Sequence, residues 1–286
     1  MNGAESLINA LAEHGVDACF ANPGTSEMQL VAALDKQPQI RAVLCLFEGV
    51  VTGAADGYGR MADKPALTLL HLGPGFANGI ANLHNAQRAH SPILNMVGDH
   101  ATDHLQHDAP LTSDIRGMAT PVSQSFSVSP NAEALAQTGL QALSDSQSYP
   151  GSISTFVVPA DHAWTAIAPP ITHLPGITTA RASDETIAAV AEQLRGAQHS
   201  ALFLGGRALR AEALYQAGRI AAATGCRLVT ETFFARQARG IGRVVTERLA
   251  YFGEMAVEQL AGLDTLVLVG AKAPVSFFAY PDKPSV

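Results

Sequence analysis

Residues 42–97 read AVLCLF (Ala42–Phe47), EGVVTGAADGYGRMA (Glu48–Ala62), DKPALTLL (Asp63–Leu70), HLGPGFANGIANLHNAQRAHSP (His71–Pro92) and ILNMV (Ile93–Val97). Three apolar runs stand out in this stretch: Ala42–Phe47, Ala66–Leu70 and Ile93–Val97. Their apolar residues are continuous rather than alternating, as in strands covered on both faces. Between them lie two segments of helical length, Gly49–Met61, rich in Gly and Ala, and about Phe76–Ala89. Strands separated by helices of that length imply right-handed crossovers and a parallel sheet. The same alternation extends outward in both directions. Ala4–His14 places Leu7, Ile8 and Leu11 on one helical face with Gly15 as its stop. Val16–Ala21 reads as a strand, and Thr25 or Ser26 can cap a helix reaching about Leu34. Beyond a polar loop, Asn131–Leu143 reads as a helix and Ile153–Val158 as a strand.

The texture changes between Ala160 and Ser183, where Ala168-Pro169-Pro170 and Pro175-Gly176 interrupt any period. The alternation then restarts, with helices at Asp184–Leu194, Ala211–Thr224 and Glu254–Leu260. Strands are expected at Ala201–Leu204, Arg227–Val229 and Thr265–Val269. The expected organisation is therefore α/β, with two doubly wound, mainly parallel sheet domains. The first covers residues 1–165, a linker 166–183, and the second 184–286. A length of 286 residues fits two domains at about 150 residues each.

Composition narrows the function. Lys and Arg total 18 against 25 Asp and Glu, with no basic stripe of the kind that displaces counterions from nucleic-acid phosphates. No apolar run approaches the roughly 20 residues of a membrane helix. The opening MNGAESLINALAEHG carries no basic region ahead of an apolar core. Cys19, Cys45 and Cys226 form no CxxC pair and lie in apolar strand-like runs, which reads as reduced core thiols of a cytoplasmic protein.

Open parallel sheets receive ligands at the carboxyl ends of their strands. Three strand ends here carry chemistry: Asn22-Pro23-Gly24-Thr25-Ser26-Glu27, Glu48, and His71-Leu72-Gly73-Pro74-Gly75. Glu48 has apolar sequence on both sides. Buried, it becomes a carboxylic acid able to donate a hydrogen bond; partly exposed, it simply complements a helix N-terminus. His71 reads either as a proton shuttle or as a hydrogen-bonded structural histidine. Gly73-Pro74-Gly75 allows a close backbone approach to a ligand, and a tight loop requires the same residues. His100, His104 and His107 with Asp103 and Asp108 form the one dense set of metal-type side chains, and it reads better as a polar loop than as a metal site. No metal ligand is assigned. Gly205-Gly206 matches a nucleotide-binding glycine pattern only incompletely.

Taken in order, FANPGTSEM (Phe20–Met28), FEGVVTGAADGYGRMADKPA (Phe47–Ala66), HLGPGFANGIANLHNA (His71–Ala86) and HSPILNMVGD (His90–Asp99) resemble the N-terminal half of a known enzyme family. It is the group of thiamine-diphosphate-dependent enzymes that holds the acetolactate synthase large subunit and benzoylformate decarboxylase. The resemblance implies a pyrimidine-binding domain followed by a central domain. It implies that Glu48 hydrogen-bonds N1′ of the cofactor's aminopyrimidine, and that His71 assists proton transfer around a 2-oxo acid substrate. Thr25 falls at a hydroxyl position beside that substrate. Pro23 and Gly24 would face the pyrimidine, with Gly73 and Asn78 in the adjoining loop.

The family's Gly-Asp-Gly and Asn-Asn elements, which hold the diphosphate and Mg2+, have no counterpart in these residues. The resemblance therefore implies that those ligands lie outside this chain, that residues 184–286 are a shortened central domain, and that the chain alone is inactive. FAD occupies the Gly205-Gly206 region in some acetolactate synthases and is the lesser cofactor expectation. The implied partners are a small 2-oxo acid and a second copy in a homodimer or homotetramer, with neither nucleic acid nor membrane. The implied activity is decarboxylation or carboligation of 2-oxo acids in the manner of acetolactate synthase. A benzoylformate decarboxylase-like activity is the first alternative, and an inactive binding or regulatory module of the same fold the second.

Overall fold

The computed structural model describes residues 1–177 and 181–286. Residues 178–180, inside the expected linker, lie outside the described residues. The chain divides into two compact units, Met1–Thr179 and Ala180–Val286.

The first unit opens with α1 (Gly3–Glu13). Asn2 Oδ1 accepts from the Glu5 N–H at 2.8 Å, and the Glu5 carboxylate accepts from the Asn2 N–H at 3.1 Å. This reciprocal box satisfies two orphan donors at the helix start. Then follow β1 (Ala18–Asn22), a short 3-10 turn at Thr25–Glu27, α2 (Met28–Lys36), β2 (Arg41–Leu44), α3 (Glu48–Ala62), β3 (Ala66–Leu70), α4 (Leu72–Arg88) and β4 (Ile93–Asp99). After the polar loop come α5 (Ile115–Ala119), β5 (Ser125–Val128), α6 (Leu135–Gln147), β6 (Ile153–Pro159) and α7 (Ala160–Trp164). The six strands form one parallel sheet in the order β2-β1-β3-β4-β6-β5.

Side-chain alternation along the strands builds a core on each face of this sheet. Leu67 and Leu69 pack with α1, α2 and α6 through Leu7, Leu11, Leu30 and Leu140. Ala66 and Leu70 face the other way, packing with Val51, Phe76 and Leu83 of α3 and α4. Thr68 shares that second face and is fully buried. Its hydroxyl donates to Asn95 Oδ1 at 2.7 Å, and the Asn95 amide donates to Thr155 Oγ1 at 3.0 Å, so the buried polar row is mutually satisfied.

Two expectations need correction here. Ala42–Phe47 is not a strand covered on both faces: β2 stops at Leu44 and lies at the sheet edge, with β1 as its one neighbour. Leu44 is 71 % exposed and Leu46 92 % exposed. Continuous apolar sequence implies two-sided burial only for an interior strand. Gly73-Pro74-Gly75 is not a loop but the first turn of α4. Pro74 is tolerated there because the first N–H groups of a helix have no intrahelical partner.

The second unit contains α8 (Asp184–Gly196), β7 (Ser200–Leu204), α9 (Ala211–Thr224), β8 (Arg227–Thr230), β9 (Glu247–Arg248), α10 (Gly253–Leu260) and β10 (Thr265–Val269). Its four strands are parallel, in the order β10-β7-β8-β9. Ser183 Oγ accepts from the Thr186 N–H at 3.1 Å and caps α8, as its sequence position implies. Cys19, Cys45 and Cys226 are free and buried, and burial pushes the Cys19 thiol up to about 12. Among the described residues no helix is long and apolar enough to cross a membrane.

Candidate active site

In the first sheet the chain leaves β1 toward β2 at one edge and returns to β3 on the other side of β1. The strand order therefore reverses between β1 and β3, and a crevice opens at their carboxyl ends. Pro23-Gly24 follows β1 and His71 follows β3, so these two segments flank the reversal.

His71 is the residue before α4, and Leu72 after it has φ +51° while fully buried. A bulky residue in the left-handed region costs on the order of 1–3 kcal/mol and persists only where its surroundings hold it. The bend turns the imidazole onto the backbone of Gly24: a methyl group at Gly24 would lie 2.4 Å from the ring. Only glycine fits between the β1 turn and this side chain. The ring also meets Glu27, with His71 Nδ1 2.7 Å from Glu27 Oε2. The Gly24 N–H donates to the same oxygen at 2.8 Å. With Glu27 ionised, Nδ1 carries the proton, and Nε2 is the nitrogen left for a ligand. The imidazole is about one quarter exposed and Glu27 is fully buried.

Glu27 was not singled out from the sequence, which assigned the helix cap to Thr25 or Ser26. In the structure Glu27 accepts the turn's N–H, while Thr25 is exposed and makes no side-chain cap. The available signal was the carboxylate three residues after Gly24, the spacing of a capping box. Glu27 Oε1 is buried, without a hydrogen-bond partner among the described residues. It lies against Gly98 of β4, where a methyl group would come within 1.8 Å.

Glu48 is the first residue of α3 and is buried, 8 % exposed. The helix dipole favours a carboxylate at this end. Asn78, one turn into α4, donates its amide N–H to Glu48 Oε2 at 3.0 Å. Glu48 Oε1 has no hydrogen-bond partner among the described residues and faces Gly75, where a methyl would lie 3.3 Å from it and 3.4 Å from His71 Cβ. Gly75 thus separates the acid from the imidazole by backbone alone. The helix pair that carries these groups is pinned by Thr52 of α3, whose hydroxyl donates to Gly79 O at 2.9 Å and lies 3.1 Å from Glu48 O. The structure therefore brings Gly24, Glu27, Glu48, His71, Gly75 and Asn78 together. Gly73 points elsewhere, toward Ser113, with a methyl position 2.1 Å from Ser113 Cβ. Pro23 stays half-buried in the β1 turn.

Asp99 ends β4 beside this region. Burial pushes its carboxyl above the ordinary value, and the hydrogen bond from the His100 N–H opposes that. His100, His104 and His107 lie in a row with tilted rings, their centroids 5.5 and 5.6 Å apart. No group of three or more metal-type side chains is placed to hold an ion among the described residues.

Comparison with known proteins gives this geometry its context. Residues 1–120 match the family described as thiamine pyrophosphate enzyme, N-terminal TPP binding domain. The whole chain is 51% identical to a Mycobacterium tuberculosis protein named for an acetolactate synthase large subunit, IlvX, and covers 55% of it. Over 103 residues, 36% of this chain and 19% of the relative, it is 34% identical to benzoylformate decarboxylase of Pseudomonas aeruginosa. A Rhodococcus jostii thiamine diphosphate-dependent 4-hydroxybenzoylformate decarboxylase shares the fold. The TM-score is 0.83 at 23% identity, covering 98% of this chain and 53% of that one. The chain spans about half the length of the relatives that it matches along its full extent. Residues 1–120, the greater part of the first unit, are thus similar to the N-terminal TPP-binding domain of thiamine pyrophosphate enzymes.

Proposed function

We propose that this chain supplies the pyrimidine-activating half of a thiamine-diphosphate-dependent enzyme that decarboxylates or ligates 2-oxo acids, in the manner of acetolactate synthase. One observation carries the reading: the buried Glu48 carboxyl, with Oε2 fixed by Asn78 and Oε1 left at the Gly75 backbone. That arrangement fits an aminopyrimidine. The carboxylic acid form of Glu48 donates from Oε1 to a ring nitrogen, while Oε2 accepts from Asn78. Gly75 puts no side chain in front of Oε1, and Gly24, with Pro23 before it, packs against the His71 ring in the β1 turn.

Thiamine diphosphate, when bound, supplies the electron sink for the bond to the departing carboxylate. The residues of this chain supply position and protons. Glu48 holds a proton at the ring nitrogen, and its burial excludes water from that contact. His71 presents Nε2 and moves a proton at the carbonyl oxygen of the substrate, its tautomer fixed by Glu27. Thr25, exposed at the mouth of the β1 turn, offers a hydroxyl to the 2-oxo acid. The Mg2+ and diphosphate ligands belong, on this reading, to residues outside this chain.

A second copy completes the site. The exposed Leu44, Leu46, Phe47 and Val50, immediately around Glu48, support a homodimer or homotetramer that covers this edge. The reduced, buried thiols suit a cytoplasmic setting. A benzoylformate decarboxylase-like activity is the second reading, favoured by the histidine held at the crevice.

Carbon dioxide release tests the function. Full-length protein given pyruvate or benzoylformate is expected to release it only with both thiamine diphosphate and Mg2+. Unchanged release without thiamine diphosphate, or none from any of a panel of 2-oxo acids, contradicts the proposal.

A further inference from the structure

The second unit has its own reversal of strand order. From β7 the chain passes through α9 to β8 and on to β9, then returns through α10 to β10 on the other side of β7. The crevice at the carboxyl ends of β7 and β10 is thus where a sheet of this kind receives a ligand. Its walls are the backbone turns Gly205-Gly206 and Gly270-Ala271-Lys272. Gly206 has φ +49° and Gly270 φ +65°, conformations that aim successive N–H groups into a concavity suited to an anion. This is the turn that the sequence offered as a place for a nucleotide or flavin.

The concavity already holds an anion of the protein itself. Glu231, the residue after β8, lies across the mouth of β7, and a methyl group at Gly205 would come within 2.5 Å of Glu231 Oε2. Its carboxylate faces the Gly206 and Lys272 backbone N–H groups and the Lys272 charge. These are the donors that a phosphate would need. Glu231 is half-buried and packed against Gly205, so a phosphate could enter only by displacing this carboxylate from the turn, or by sitting beside a like charge.

We propose that Glu231 is a built-in occupant of the second unit's anion turn, and that this unit therefore rejects the phosphate groups of flavin and adenine nucleotides. The inference concerns the second unit alone and does not rest on the function proposed for the first. It disagrees with a flavin in this region: the residues present do not fit one.

Flavin retention and nucleotide binding test the proposal. Full-length protein is mixed with FAD and desalted, and ADP is titrated separately by calorimetry. Thiamine diphosphate and Mg2+ are present throughout, so that any site for them is filled. Wild type is expected to lose its flavin on desalting and to give no ADP heat. Glu231→Ala is expected to bind ADP at least about tenfold more tightly than wild type. Glu231→Ser is the second variant, read in its place if Glu231→Ala does not fold by circular dichroism. Stoichiometric flavin retained by wild type overturns the proposal, as does equal ADP affinity in wild type and the folded variant.

Discussion

Glu27 shows how much one buried carboxylate can organise. It takes the N–H of Gly24 and the Nδ1 of His71 on a single oxygen, tying the turn after β1 to the residue after β3. Removing it strands a backbone donor, frees the imidazole to rotate and leaves a space beneath Gly98. Glu27→Ala is therefore expected to lower stability by about 2–4 kcal/mol in urea unfolding. Glu27→Gln, whose amide oxygen can still accept one of the two bonds, should lose less. Equal midpoints and slopes for wild type and Glu27→Ala would show that the pair is incidental. Sequence made Glu48 and His71 visible because each directly follows an apolar run, which reads as a strand end where an open sheet presents its chemistry. It did not make the Glu27–His71 pair visible, since the partners are 44 residues apart and meet only once β1 and β3 are adjacent.

At the scale of elements, the site depends on how α3 and α4 cross. Glu48 begins one helix, and Gly75 and Asn78 stand in the first two turns of the other. Thr52 joins them through Gly79 O, with Gly79 so close that a methyl there would lie 2.9 Å from Thr52 Cγ2. Thr52→Val keeps the volume and removes the hydrogen bond, so a loss of about 1 kcal/mol is expected by thermal or urea unfolding. An unchanged stability would mean that packing alone sets the crossing. Long periodic helices and interior strands were legible from the sequence: β3 runs Ala66–Leu70 and α9 runs Ala211–Thr224, as the pattern implies. What escaped was short or at an edge. β5 and β9 are four and two residues long and lie at sheet edges, where one-sided pairing needs little apolar sequence. β2 was read as interior because its residues are apolar, yet the sheet leaves it at the margin. Strand order, which no local pattern encodes, decides that.

For the whole molecule, the two units apply one architectural rule to different ends. Each sheet reverses its strand order beside its first strand, between β1 and β3 in one and between β7 and β10 in the other, and each of these reversals gathers glycine-bearing turns at strand carboxyl ends. In the first unit the crevice presents an acid and an imidazole across bare backbone. In the second, Glu231 fills the corresponding turn. The match of residues 1–120 was foreshadowed by the resemblance of four ordered segments, Phe20–Met28, Phe47–Ala66, His71–Ala86 and His90–Asp99, to one enzyme family. The central claim is that Glu48 activates the aminopyrimidine of thiamine diphosphate. The most direct test is the rate at which the cofactor's C2 hydrogen exchanges with deuterium, followed by proton NMR after acid quench of the full-length protein. Wild type should accelerate exchange well above that of free cofactor, and Glu48→Gln should slow it by about 100-fold or more with cofactor still bound. Equal exchange rates in the two proteins, both saturated with cofactor, would contradict the account.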